Sequence, residues 1–384
     1  MEEQGKILYT VILTNYNSGK YIFQALDSIF CQDYPSIELI ITDDASIDFD
    51  LDTIKKYVEK NKKKNIKSIK FVVNKRNSGT VKILNKALKK ASGEYILFFA
   101  SDDVLVNDSV LTNFSEAFKD SYTNIVSSQW IICDDDLKPF SEYLNFMEGF
   151  MLNFVSARLQ FLRLCKANIY GAGATSYRAA IFRKYGFLDE KYRLLEDWPF
   201  WLRLLWKGEK IYYKNFKSLY HRSGGISEDK KLTNTKIIFL KELILTYHYE
   251  ILSKIDSFSV FTKVYLLKCF NYQLDHLNQF LDLRKEYKKL NYFIDSKRLW
   301  IWWRLDRLNP HLIYKIVVLW TYNKQVVFSF MATIIYGIIN ALRFSHLNYN
   351  LFLFSCLLFY LIVFILFDWF IKLKKIIKER RSRV

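Results

Sequence analysis

Carboxylates and small polar residues gather at a few points of this 384-residue chain. Thr14-Asn15-Tyr16-Asn17, Asp43-Asp44-Ala45-Ser46 and Ser101-Asp102-Asp103 each close a short apolar run. A further acidic pair, Glu196-Asp197, stands just before Trp198-Pro199. Carboxylates offer hard oxygen ligands to cations and accept protons in general base catalysis. Plainer roles compete at each place. Asp44 fits a turn or helix-cap carboxylate, and Asp102-Asp103 fits a solvated acidic loop. Asp197 can simply cap the helix whose first turn Pro199 marks.

The elements around these clusters follow one pattern. Ile7–Leu13 reads as a strand and Tyr21–Phe30 as a helix, followed by a second strand at Glu38–Thr42. A lysine-rich amphipathic helix leads to a third strand, Ser68–Val73. A helix at Gly79–Ala91 precedes the fully apolar fourth strand, Tyr95–Ala100. Strands alternating with helices imply βαβ units and a mostly parallel sheet. Ligands bind such sheets beyond the carboxyl ends of the strands, where all three polar clusters fall. Gly171-Ala172-Gly173-Ala174, ahead of the acidic pair, reads equally as a close approach of backbone to a ligand and as a tight turn.

The C-terminal part differs. From about Asp229 the chain turns to long helical stretches rich in Lys, Leu, Tyr and Phe. Residues 297–307 mix Trp300, Trp302 and Trp303 with Arg298, Arg304 and Arg307, as suits a helix in a headgroup layer. Residues 325–342 carry no charge, and residues 351–367 are apolar except for Ser355. Both runs are near the lower limit for crossing about 30 Å of hydrocarbon. The basic tail, residues 372–383, predicts a hairpin with both ends in the cytoplasm. Buried core helices or a re-entrant pair are the alternatives. A net charge of +18 calls for anionic partners, and its position beside apolar segments favours anionic membrane lipids over nucleic acid. Five scattered cysteines (Cys31, Cys133, Cys165, Cys269 and Cys356) argue against a disulfide framework and suit a reducing compartment. The N-terminus lacks the apolar core of a secretory signal.

The string VILTNYNSGKYIFQALDSIFCQDYPSIELIITDDAS, then NSGT, ASGEYILFFASDD and LLEDWPFWLRLLWKGEKI, resembles the inverting glycosyltransferases of family 2. The likeness spans residues 5 to about 226. It implies an α/β, GT-A (Rossmann-like) domain at 1–227. A helical region at 228–320, including the Trp/Arg-rich segment, and an apolar hairpin with basic tail at 321–384 would follow it. By the same resemblance Thr14, Tyr16 and Asp44 bind the nucleobase, Asp102 the ribose, and Asp103 a Mg2+ or Mn2+ ion that neutralises the departing diphosphate. Asp197 becomes the base that deprotonates the acceptor hydroxyl, with Glu196 in support. His221, with Arg222 beside it, sits where relatives carry a loop near the leaving group, a second metal or diphosphate contact. A lone His is also often ordinary surface or core.

One position departs from the pattern. Many relatives carry Arg immediately before the residue matching Asn85, whereas this chain has Leu84. Lys82, a turn earlier, is the candidate replacement at the diphosphate. The expected activity is transfer from a nucleotide-sugar, a UDP-sugar by the fit of Asp44 to uracil's N3–H, to a lipid-linked or surface glycan. The expected location is the cytoplasmic face of a bacterial inner membrane. A transferase acting on a polyprenyl phosphate and a non-catalytic membrane adaptor are the rival readings. Joint retention of Asp44, Asp102, Asp103, Glu196 and Asp197 speaks against the adaptor.

Overall fold

The computed structural model describes residues 7–144, 146–225, 233–258 and 260–278, all inside one compact unit that extends to residue 295. In its first third, β1 (Tyr9–Asn15), α1 (Ile22–Phe30), β2 (Ile37–Asp43), α2 (Leu51–Asn61), β3 (Ile66–Val73), α3 (Thr80–Leu88) and β4 (Tyr95–Ala100) alternate. The four strands pair in parallel, with β1 between β2 and β4. β2 is buried at all seven positions, as a strand covered on both faces must be. α2 turns Ile54 and Val58, one helical turn apart, into the core. Its start is fixed by Asp50, whose side chain accepts from the N–H groups of Asp52 and Thr53.

The second third is built differently. It contains β5 (Val104–Leu105), α4 (Val110–Ala117), β6 (Ile125–Cys133), β7 (Pro139–Tyr143), α5 (Phe146–Phe154), α6 (Ala157–Leu164), β8 (Thr175–Arg178), α7 (Ala180–Tyr185), α8 (Asp197–Trp206) and β9 (Tyr212–Arg222). The sheet runs β3-β2-β1-β4-β8-β6-β9-β5, with β7 on β6. Parallel pairing therefore holds for the first four strands, and the sheet is mixed beyond them. β8 runs antiparallel to both β4 and β6. That reversal has a consequence for the site. The residues entering β8, Gly171 to Ala174, are delivered beside the carboxyl end of β4. β9 runs parallel to β6 and brings His221 level with Ile132.

α9 (Asn234–Thr246), a π-helical turn at Tyr247–Ile251, a 3-10 turn at Leu252–Ser257 and α10 (Val260–Asn278) complete the described chain. Leu240, Ile244, Tyr247, Ile251, Tyr265, Leu266 and Phe270 are buried. The Tyr247 hydroxyl donates to the Cys165 carbonyl at 2.7 Å, at the end of α6. Among the described residues Cys31, Cys133, Cys165 and Cys269 are free thiols, and no helix is long and apolar enough to cross a membrane. The Trp/Arg-rich segment at 297–307, the apolar runs at 325–342 and 351–367, Cys356 and the basic tail lie outside the described residues.

A chain ending at residue 225 is expected to fold poorly although it keeps every strand of the sheet. It loses the apolar partners listed from α9 onward, whose burial is worth about 1.5–3 kcal/mol per large side chain, a sum comparable with the whole stability of a domain. Soluble yield and thermal melting of that chain, beside one ending at residue 295, test this. Equal melting temperatures would show that the C-terminal helices are dispensable.

Candidate active site

A single amide draws the three polar clusters together. Asn15, the buried last residue of β1, donates from Nδ2 to Asp43 Oδ1 at 2.8 Å. Its Oδ1 accepts from the Ser101 hydroxyl at 2.7 Å. The carboxyl ends of β1, β2 and β4 are thus tied side by side. Asp43 holds the turn that follows, accepting from the Ser46 N–H at 3.0 Å, and Ala45 pays for the tightness with φ at 65°.

Asp44 is buried and already occupied. It accepts from Asn74 Nδ2 at 2.6 Å, from the Ser78 N–H and hydroxyl at about 3 Å, and from the Gly79 N–H at 2.6 Å. The turn and cap role open in the sequence is therefore filled, and it fixes the entry to α3. Gly79, at φ 93°, lies against Arg193, where a Cβ would come within 2.3 Å of Cγ. Tyr16 is exposed, as is Lys82 on α3. Thr14 donates its hydroxyl to the Phe99 carbonyl at 3.2 Å.

Beyond the strand ends lies a cavity of about 550 Å³, within the usual range for ligand pockets. Its walls bring together Thr14, Asp103, His221, Glu196 and Asp197 with the Gly171–Ala174 turn. Tyr16, Asp44, Lys82 and Asp102 are not on these walls. Asp103 Oδ1 and His221 Nδ1 face each other at 2.8 Å. Gly173 permits their approach to the turn, since a Cβ there would sit 2.8 Å from Leu219 and 3.3 Å from Asp103 Oδ2. Burial, then the charge of Asp103, pushes the Asp102 carboxyl up to about 6. Arg222 is spent on structure. Its guanidinium donates to the carbonyls of Asp102 and Asp135 and to Gln24, and it stacks over Tyr21.

The acidic pair sits at the start of α8. Burial raises both carboxyls above their ordinary range, and the charge of Asp197 raises Glu196 further. Asp197 is eased by donors: the Trp198 N–H and Asn168 Nδ2, the latter at 2.9 Å. The helix N-terminus also favours its negative form. The two environments therefore differ: hydrogen-bond donors ease charge on Asp197, whereas the charge of Asp197 adds to the rise at Glu196.

Two residues hold this segment: Glu242, which the sequence reading passed over, and Asn85, which it named only as part of the family pattern. Glu242 on α9 is buried, and its carboxylate accepts from the N–H groups of Arg193, Leu194 and Leu195 at 2.6, 2.9 and 2.9 Å. Asn85 bonds Leu188 in both directions, by Nδ2 to its carbonyl and Oδ1 from its N–H. Glu242 had no local signal, since its partners lie more than 40 residues away, and nothing beside Asn85 pointed to Leu188.

Glu242→Ala should cost ~3 kcal/mol by leaving charged-acceptor bonds unmade, and misplacement of Asp197 should lower transfer about a hundredfold. Thermal melts and rates, with nucleotide affinity as control, check this; an unchanged rate would remove Glu242 from the site. Glu196 generates a pH prediction. Its folded-state pKa lies above the unfolded one, so stability is complete below the ordinary carboxylate range and falls as pH rises toward the folded value. Glu196→Gln should flatten that fall and melt higher than wild type at neutral pH. Parallel melting curves against pH would contradict it.

Residues 10–186 match the family model described as Glycosyl transferase family 2. An uncharacterized glycosyltransferase of Haemophilus influenzae is 26% identical over 223 residues, 57% of this chain and 81% of that one. The UDP-Glc:alpha-D-GlcNAc-diphosphoundecaprenol beta-1,3-glucosyltransferase WfaP of Escherichia coli is 28% identical over 232 residues, 58% of this chain and 81% of that one. The solved structure of Staphylococcus aureus TarS 1-349 superposes with a TM-score of 0.50 at 21% identity, covering 71% of this chain and 72% of that one, a likeness of fold. With the strand-end clusters and the acidic pair gathered as described, residues 10–186 of this chain are similar to glycosyl transferase family 2, and the fold is that of a GT-A α/β domain.

Proposed function

We propose that the protein transfers a sugar, with inversion, from a UDP-sugar to a hydroxyl of a lipid-linked or cell-surface glycan. One observation carries the reading: Asp197 and the Asp103–His221 pair stand on the walls of the same cavity, beyond the carboxyl ends of the strands. Displacement at an anomeric carbon needs a base for the incoming hydroxyl on one side and charge neutralisation for the departing diphosphate on the other. Asp197 supplies the first. It is the carboxyl of the half-buried pair that side-chain and backbone donors serve, and Asn168 aims one of its oxygens.

Asp103 and His221 would hold a Mg2+ or Mn2+ ion in place of the proton they share. The donor set fits: a carboxylate oxygen and an imidazole nitrogen suit Mn2+ in particular. Among the described residues no cluster of three or more His, Cys, Asp or Glu forms a metal site, so the diphosphate and water would complete the coordination. The ion, when bound, offsets charge on the leaving diphosphate. Asp102 lies beside it for the ribose, and Thr14 and Tyr16 flank the base. Asp44 acts chiefly through the loop it holds, because uracil's N3–H would have to share an oxygen with Ser78 or Gly79.

The UDP donor and the lipid-linked acceptor are supported by the activity of the Escherichia coli relative. The cytoplasmic face of the inner membrane is our proposed location, with anionic lipids as partners. The Trp/Arg-rich segment, the apolar runs and the basic tail support it.

Titration with UDP, GDP and CMP in the presence of Mn2+ tests the donor. UDP should bind at least tenfold more tightly, about 1.4 kcal/mol, and a preference of that size for GDP would sink the assignment. Asp197→Asn should lower transfer by about 10² or more, the usual share of a general base, and leave UDP affinity unchanged. Near-normal turnover would move the base elsewhere, with Glu196 the next suspect.

A further inference from the structure

The cavity continues past the groups that the transfer step uses. On its wall stands Tyr143, at the end of edge strand β7, an aromatic ring that stays 49% exposed. It stacks on Trp130, its register partner on β6, with centroids 5.2 Å apart and ring planes at 17°. Trp130 is itself buried. Gly171 lies against the indole so closely that a Cβ there would come within 3.2 Å of it. The indole is thereby held between the turn and the tyrosine, and it backs the ring whose other face is open. The strand carrying that ring is also pinned. Glu142 pairs with Lys217 of β9 at 2.6 Å.

The sheet order says which half of the substrate pair this wall meets. The nucleotide-side residues stand at the ends of β1, β2 and β4, whereas β6 and β7 lie across β8 from them. The acceptor must present its hydroxyl to Asp197 and extend away from the donor. An open, rigidly backed tyrosine face offers an apolar surface with a polar tip, which matches a pyranose: apolar C–H groups on its faces and hydroxyls around its rim. A few polar groups around such a wall are enough to fix orientation.

We propose that Tyr143, backed by Trp130, is the platform on which the acceptor's pyranose ring lies while its hydroxyl reaches Asp197. This rests on the transferase reading above. Tyr143 is then a binding and orienting residue for the acceptor, with no part in holding the nucleotide. Gly171 belongs to the same device, because any side chain there pushes the indole and with it the platform.

The test is saturation-transfer NMR on the full chain with UDP and diamagnetic Mg2+ present. The probes are methyl β-glucoside, methyl β-galactoside and methyl N-acetyl-β-glucosaminide, which carry no lipid chain. The wild type should saturate the ring C–H protons of at least one probe. Tyr143→Ala should weaken that probe about tenfold, while Tyr143→Phe, which keeps the ring, should bind it much as wild type does. UDP affinity should be the same in all three. Tyr143→Ala binding as well as wild type overturns the platform, and so does its loss of UDP affinity, which would mark a general structural role. UDP binding by the wild type without any pyranoside signal sinks the platform alone. Failure of the wild type to bind UDP sinks the nucleotide-sugar reading, and the platform with it.

Discussion

Two adjacent carboxyls pressed out of water are unstable company, and the architecture of the site follows from having to keep them there. Glu196 and Asp197 both lie where burial disfavours their charged forms. A loop bearing them would relax toward solvent unless its backbone were fixed from another quarter. Glu242 does this. One carboxylate takes three consecutive N–H groups ahead of the pair, leaving that backbone no unpaired donor to draw toward water. The clasp comes from α9, so the helices after the sheet are part of the active-site machinery.

The same loop reaches the side proposed for the nucleotide. Arg193, whose N–H Glu242 accepts, gives its carbonyl to the Val81 N–H at 3.1 Å and its guanidinium to the Asn77 side chain. Asn77 lies next to Ser78 and Gly79, whose N–H groups Asp44 receives. A line of hydrogen bonds therefore runs from β2 through the start of α3 to the acidic pair and on to α9. Each of its two anchors is a buried carboxylate serving backbone donors. Geometry at one end is thereby coupled to geometry at the other, as a reaction joining a donor and an acceptor requires.

The parts legible in the sequence are those whose signal is local. β4 could be read residue for residue, because six apolar residues between a turn and an acidic cluster have few other homes. The other three N-terminal strands were misplaced by no more than two residues at either end. Mixed pairing from β5 to β9 escaped notice, since these strands are short or broken by register shifts and their partners are distant. Asp44 was found as a chemically placed residue, but the donors it serves, residues 74 to 79, were not foreseeable from its own neighbourhood. Glu242 was invisible for the reason already given, and Asn85, though matched in the family resemblance, could not be joined to Leu188. Their neighbours read as ordinary helix, and only tertiary contact makes them part of the site.

Charge balance at the position proposed for the diphosphate is where this chain departs from the family pattern. Where the resemblance leads one to expect an Arg, Leu84 turns toward the cavity as an apolar wall. Arg222 does not replace it, because carbonyls, Gln24 and Tyr21 account for its guanidinium. What remains is Lys82, exposed two residues earlier on α3, and the cation proposed for Asp103 and His221. A solvated ammonium screens a diphosphate less than a guanidinium buried against it. If Asp103 and His221 hold a divalent ion as proposed, the burden of neutralising the leaving group shifts toward it, and transfer should depend on that ion more steeply than in a relative with the arginine in place.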